Sequence, residues 1–379
     1  EATSPVTPQM MMKDAFDYDD KGIYRALAGG TTMADILHGS ANAIGGQSAL
    51  VKLRWGQNAD QMLIENAAGF IKFALGENVK QSNAGDFNSV RFPQTRMGVE
   101  QVYYDHFHQA REYGLMWKAY NASLKTKNPL PKPRKDLELE ALLEILEKKR
   151  FITCHSYVQS EINMLMHMAD SMGFRINTFT HILEGYKVAD KMKAHGAAAS
   201  SFSDWWAYKM EVREAIPHNG ALMHRQGLVV AFNSDDAEMA RRLNQEAAKA
   251  VKYGRLTEEE AWKFVTLNPA KMLHLDQRMG SLKVGKDADI VIWSNNPLSI
   301  YAMAEKTFVD GRCYFDREED GFLFQQQWND RKLLMDEMQK SIANGDQPQK
   351  PNGRKRRHFH CDSEGDLYQF EEHDHENHH

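Results

Sequence analysis

The stretch GLVVAFNSDD, residues 227–236, opens as an apolar run and closes on Ser234, Asp235 and Asp236. Leu228 to Phe232 form the short continuous apolar segment expected of a strand buried on both faces, as in a parallel sheet. A carboxylate at the end of such a strand is costly to bury unless it is paired or holds a cation. The stretch therefore predicts a parallel strand whose carboxyl end opens on a polar site.

Working outward, similar runs recur: TTMADIL (31–37), GFIKFAL (69–75), RFITCHSY (150–157), RINTFTHI (175–182) and GAAASSF (196–202). Amphipathic segments lie between them. Leu139, Leu142, Leu143 and Leu146 fall at i, i+3, i+4 and i+7, as do Ile162, Leu165, Met166 and Ala169, and Gly173 stands where a helix-ending glycine belongs. Repeated strand–helix–strand units imply a parallel sheet with helices outside. Thr257 and Glu260 have capping-box spacing at the start of a later helix. The texture then changes: SLKVGKDADIVIW (281–293) reads as a turn and a strand with no helix after it, which places a boundary near residue 277. The expected organisation is a barrel-like domain over 1–277, a β-rich part over 278–320, a peripheral helix over 321–345 and a disordered tail rich in His and acid over 346–379. Residues 121–136 read as an insertion-type loop, and the glycine-rich GSANAIGGQS (39–48) reads as a loop over the site that lacks the Lys-Ser/Thr end of a phosphate loop.

Composition narrows the function. The net charge of −5 arises from 47 basic and 52 acidic residues mixed along the 379-residue chain, which favours a small-molecule or peptide-like substrate over nucleic acid or a membrane surface. Cys154, Cys313 and Cys361 are too few and too scattered for a disulfide framework or a zinc ribbon. No window reaches the roughly 18 continuous apolar residues of a membrane span. Compartment stays open between cytoplasm and periplasm, and a homo-oligomer is compatible with everything above.

Three of the runs end in residues that can ligate a metal: His155, His181 and Asp235. In a parallel barrel the carboxyl ends of the strands share one face, so residues distant in sequence converge there. Two imidazoles and a carboxylate suit Zn²⁺ or another divalent metal. Asp235 is assigned to the site, and Asp236 to capping the helix that follows. Tyr157, Asp204, Trp205, Trp206 and His218 lie just past strand ends and are candidates to line a substrate pocket, or else to pack the top of the fold.

Taken in order, ALAGGTTMADILHGSANAIGGQS, FITCHSY, NTFTHILEG, GLVVAFNSDD and MGSLKVGKDADIVIW resemble the amidohydrolase superfamily, near its imidazolonepropionase-like and prolidase-like branch, over about residues 20 to 315. The resemblance implies an α/β fold: a (β/α)8 TIM-type barrel lacking its first strand in this chain, with the remnant of a small β-sandwich domain at the C-terminal end. It also implies hydrolysis of an amide, cyclic amide or peptide-like C–N bond through a water activated by one or two metal ions. His155 and His181 would be metal ligands of strands five and six, and Asp235 the strand-eight ligand and proton shuttle, with His181 steadying the oxyanion. The strand-four ligand is either Lys72, carboxylated, or Glu77. The family's His-x-His pair of strand one is missing: His106 and His108 sit in a helical pattern and read as a helix surface. This predicts that the chain as it starts at Glu1 lacks that strand. A catalytically incomplete barrel acting as a binding or interaction module is the competing expectation. A third is a metal-storage role for the tail histidines His358, His360, His373, His375, His378 and His379.

Overall fold

The computed structural model describes residues 4–80, 91–205 and 209–347. Trp206, Cys361 and the tail histidines lie outside the described residues.

The strands are β1 (Met33–Ile36), β2 (Ile44–Gln47), β3 (Ala49–Lys52), β4 (Gly69–Ala74), β5 (Arg150–His155), β6 (Thr178–Thr180), β7 (Ala198–Ser201), β8 (Val230–Phe232), β9 (Ile290–Trp293), β10 (Ala304–Val309) and β11 (Arg312–Asp316). The central sheet runs β2-β4-β5-β6-β7-β8. From β4 to β8 every pairing is parallel, and β2 lies antiparallel on the β4 edge. The mixed α/β architecture with a central parallel sheet therefore stands as the sequence predicts.

Two N-terminal segments differ from expectation. TTMADIL forms β1, yet it pairs antiparallel with β3 in a separate two-stranded sheet instead of joining the parallel one. GSANAIGGQS is a loop only in its first half, because its second half is the strand β2 at the edge of the sheet. The glycines there serve close approach: a Cβ on Gly45 would meet His38 Nδ1 at 2.9 Å and the Lys72 carbonyl oxygen at 3.0 Å, and one on Gly46 would meet the Met10 carbonyl oxygen at 2.9 Å.

Register divides the parallel sheet into two unlike faces. Phe73 pairs with Cys154, Cys154 with Phe179, Phe179 with Ala199 and Ala199 with Val230. Partners in register point the same way, so these residues form one apolar face. It packs on helix Arg96–Ser123 through Val102 and Phe107, on helix Leu137–Leu146 through Leu142, and on helix Gln159–Met172 through Ile162 and Leu165. Each large side chain fully buried there contributes about 1.5–3 kcal/mol. The helix Gln159–Met172 stops at Gly173, φ +83°, as its sequence predicts. The other face carries Lys72, Thr153, His155, Thr178, Thr180 and Ser200, all buried. A hydrophobic core has no use for such a face.

The C-terminal strands form the antiparallel sheet β9-β10-β11. Val309 and Phe315 pack with Leu27, Val51 and Met62, so this part shares a core with residues of the N-terminal region. Lys52, fully buried, is held by Asp287 at 2.8 Å, Asp289 at 3.2 Å and Asp310. Helix Arg317–Ala343 follows, with none of its residues buried. Among the described residues no helix is long and apolar enough to cross a membrane.

Candidate active site

The polar face ends in a cluster at the carboxyl ends of the strands. His155, the last residue of β5, is 1 % exposed, and its ring lies 4.6 Å from that of Tyr157 and 5.1 Å from that of His181, centroid to centroid. His181 follows β6 directly with φ +61°, a left-handed conformation uncommon for a side chain of its size. This turn sends the imidazole across the strand ends, where it stacks on Phe202 at 4.9 Å and 15° and brings Nε2 to 3.6 Å from Asp235 Oδ2. Its Nδ1 contacts Asn233 Nδ2 at 2.8 Å, and the Ser200 hydroxyl donates to Asn233 Oδ1 at 2.7 Å. Such non-glycine left-handed residues concentrate at functional sites, where surrounding contacts hold the strain.

Electrostatics ties Lys72 to this cluster. Burial holds the His155 imidazole well below its usual range, and His181, Lys72 and Lys209 push in the same direction, so His155 is neutral. Its Nδ1 is buried without a hydrogen-bond partner. Burial raises the Asp235 carboxyl while Lys72 and Lys209 pull it down. Asp35 of β1, pushed up to about 6 by desolvation, also lies in the field of Lys72.

Of the residues singled out in the sequence, the structure thus gathers Lys72, His155, Tyr157, His181 and Asp235, with Trp205 behind them, stacked on Phe202 at 4.5 Å. Asp236 accepts from the amides of Glu238 and Met239 and caps their helix, as expected. Glu77 is elsewhere: it begins a short helix and pairs with Lys80 at 3.3 Å and Arg96 at 3.5 Å, beside the buried Glu161 and Glu211. Asp204 turns to Lys249 at 2.7 Å, and His218 precedes helix Asn219–Arg225 with its ring 6.4 Å from Tyr253. Among the described residues neither makes a hydrogen bond, ion pair or ring contact with His155, His181 or Asp235: Asp204 is held by the ion pair with Lys249, and His218 stands at the start of its helix. His106 and His108 lie on helix Arg96–Ser123, as the sequence predicts.

Sequence reasoning missed Asn233, Ser200, Phe202, Lys209 and Asp35. Lys209 sits with its ammonium 4.4 Å over the Tyr157 ring and 3.5 Å from Glu211. The available signal was alternation: Ser200 is two residues beyond Ala198 of β7, and Asn233 two beyond Ala231, on the inward side of their strands.

The donor set matches a divalent cation in kind, because two largely buried imidazoles lie side by side, one with an unpartnered nitrogen and the other 3.6 Å from a carboxylate. In number it is short. Among the described residues no group of three or more His, Cys, Asp or Glu side chains could by itself hold a metal ion.

A parallel sheet with helices on one face and titratable side chains at its strand ends defines an α/β protein with an enzyme-like site. The amidohydrolase family pattern matches residues 138–314. An amidohydrolase structure from Thermotoga maritima is 31 % identical and superposes with a TM-score of 0.76 over 84 % of this chain and 80 % of its own. The chain belongs to the amidohydrolase family. The amidohydrolase tasK of Hapsidospora irregularis is 30 % identical over 83 % of this chain, which spans only 34 % of that protein's length. The imidazolonepropionase of Shewanella baltica matches over 39 residues, 56 % identical and 10 % of each chain.

Proposed function

We propose that the protein is a metal-dependent hydrolase that cleaves an amide, cyclic amide or peptide-like C–N bond, and that its parallel strands belong to a TIM-type barrel. The observation that carries this reading is the convergence of Lys72, His155, His181 and Asp235 at one end of the polar face. In a packed barrel the inward face ends in the active site.

His155, His181 and Asp235, with Lys72, would hold one or two divalent ions, zinc being the type best suited to imidazole and carboxylate. A cation bound there supplies a lowered pKa for water and a polarised substrate carbonyl. The chain's own residues do the rest. Asp235 Oδ2 takes the proton of the attacking water and returns it to the leaving nitrogen. Its raised affinity for protons, caused by burial, suits this exchange. His181, holding such a cation through Nε2, would act on the negative charge developing on the carbonyl oxygen through that cation, since the same nitrogen has no proton left to donate. Tyr157 and Trp205 bound the pocket and exclude water, and Lys209 over Tyr157 fixes the ring's position.

The test is hydrolysis of a panel of N-acyl amino acids, dipeptides and lactams with added Zn²⁺, comparing wild type with Asp235→Asn. Loss of a proton-transferring group lowers kcat/KM about 10²–10⁴-fold, with the unfolding midpoint near that of wild type. Equal turnover by the two proteins ends the mechanism. A second reading, a barrel retained as a binding module, is favoured by the short ligand count among the described residues; tight Zn²⁺-independent binding of panel compounds without turnover would select it.

A further inference from the structure

Helix Arg317–Ala343 has 27 residues and buries none of them. At 1.5 Å per residue it is about 40 Å long. Its first turn is tied to the body, where Arg317 donates to the Ala304 carbonyl at 2.8 Å and Asp320 accepts from the Tyr24 hydroxyl at 2.9 Å. Beyond that turn the surface is not the polar one that an isolated helix needs. Phe324, Trp328, Met335, Met338 and Ile342 are each between 45 % and 65 % exposed. With Arg331, they follow one another in alternate steps of four and three residues. That alternation is the seam of a coiled coil, a narrow stripe that a second helix covers. Phe322 and Leu333 lie on the opposite side of the helix and outside the seam.

The seam is complementary to itself when reversed. With a second copy laid antiparallel about a two-fold axis level with residue 333, Phe324 comes opposite Ile342 of that copy, Trp328 opposite Met338, and Arg331 opposite Met335. Every position in the seam then has a partner, and Leu334 of each copy meets its counterpart beside the axis. Such a same-patch contact is what a two-fold dimer requires. A parallel pair would set Arg331 on Arg331 inside the seam and bring the two sets of Glu318, Glu319 and Asp320 together, with both bodies crowded at one end. The antiparallel pair separates those acidic turns, opposes the helix dipoles favourably and puts the bodies at opposite ends. Its area is sufficient. Phe324, Trp328, Leu334, Met335, Met338 and Ile342, roughly half exposed, offer on the order of 100 Å² each. Two copies would thus remove on the order of 1,200 Å² from water, the lower end of specific interfaces.

We propose that a second copy of this chain covers the exposed seam, so that helix Arg317–Ala343 is a dimer interface built as an antiparallel two-helix coiled coil centred between Arg331 and Met335. The proposal does not rest on the hydrolytic reading. An interface of this size forms and separates reversibly, with half-dissociation in the micromolar range.

Sedimentation velocity of the full chain between about 1 and about 100 μM tests it. Wild type should pass from the 43.4 kDa of one chain to twice that mass. Trp328→Glu and Met335→Glu each place a carboxylate in the seam and should remain monomeric throughout. Their circular dichroism and thermal midpoint should match wild type, because the helix buries neither side chain. Direction is read from disulfides in chains that also carry Cys313→Ser and Cys361→Ser. Trp328→Cys mixed with Met338→Cys should give the mixed covalent dimer, and neither should cross-link alone, since like positions stand about 15 Å apart along the axis. A wild type that is monomeric at about 100 μM overturns the proposal and leaves the seam to a different protein. A dimer that survives both Glu substitutions, or disulfides between like positions, overturns it as well.

Discussion

Gly76 lies just past the end of β4, at φ +87°, where the chain turns into the short helix that Glu77 begins. Replacing it with Ala has two separable costs. The left-handed conformation costs a side-chain-bearing residue about 1–2 kcal/mol wherever it occurs. The second cost is local. A Cβ at this position would overlap Glu211 Oε1 and lie 3.2 Å from its Cδ. That oxygen accepts the Glu77 amide at 3.0 Å and faces Arg96 at 3.4 Å, and the carboxylate, 2 % exposed, cannot swing into water. Displacing a buried hydrogen-bonded acceptor costs a further ~1–3 kcal/mol. Gly76→Ala is therefore expected to destabilise by about 2–5 kcal/mol in total. Gly173 supplies the control: its φ is +83° and no atom lies within 4 Å of the added Cβ, so Gly173→Ala should cost only the first part. Urea unfolding of both variants, followed by tryptophan fluorescence at one pH, gives the comparison. Equal destabilisation would refute the claim that Glu211 is locked beneath the turn, whereas an excess at Gly76 locates the cost there.

Other consequences follow from the same contacts. Thr257 accepts the Glu260 amide at 3.2 Å while Glu260 accepts from the Thr257 amide at 2.9 Å and its hydroxyl at 2.8 Å, so Thr257→Ala should cost about 1 kcal/mol in thermal unfolding at neutral pH. These bonds, with His224, pull the Glu260 carboxyl down to about 2. A depressed carboxylate stabilises above its ordinary value of 4.5, and that stability is lost as pH falls through about 2; the variant should flatten this acid limb, modestly because Glu260 is 39 % exposed. His195 Nε2 accepts the Ile176 amide at 3.0 Å while Nδ1 donates to Asp170 at 2.8 Å, which requires a neutral ring. Burial lowers its proton affinity against the pull of Asp170. A lowered imidazole stabilises above its ordinary value of 6.5 and loses that contribution as pH falls below it. His195→Phe should therefore cost about 1–3 kcal/mol near pH 8 through the orphaned amide, and should reduce the slope of stability between about pH 7 and pH 5. His155, with the same sign, keeps part of that slope.

How much of the fold and site is legible in the sequence depends on whether a residue's environment is local. The alternation of β5 and β8 is local, and so His155 and Asp235 can be read as strand-end groups from the order of residues alone. Lys72 stands out as a lysine inside an apolar run for the same reason. Lys72 and Glu77 part company at the strand end: Lys72 lies inside β4 in register with Thr153, whereas the chain turns at Gly76, φ +87°, and Glu77 begins a short helix, where strand alternation no longer applies. Asp204 and His218 resist placement, because their partners Lys249 and Tyr253 come from a helix more than thirty residues away. GSANAIGGQS misleads because glycine signals both a loop and a strand pressed against other backbone, and only the approach of His38, Met10 and Lys72 distinguishes them.

Strand parity settles the two carboxylates of GLVVAFNSDD. Counting by twos from Ala231, which pairs with Ser200 on the polar face, gives Asn233 and then Asp235. Counting from Phe232, on the apolar face, gives Ser234 and Asp236. The inward series ends beside His181, with Asn233 on Nδ1 and Asp235 near Nε2, so one strand's alternation grips both nitrogens of an imidazole contributed by another. The outward series ends in a helix cap. A strand that brings an amide and a carboxylate, two residues apart, to the two nitrogens of one imidazole cannot slip register by one without losing both contacts. Register in β8 thus fixes the contacts of His181 as well as the packing of the sheet.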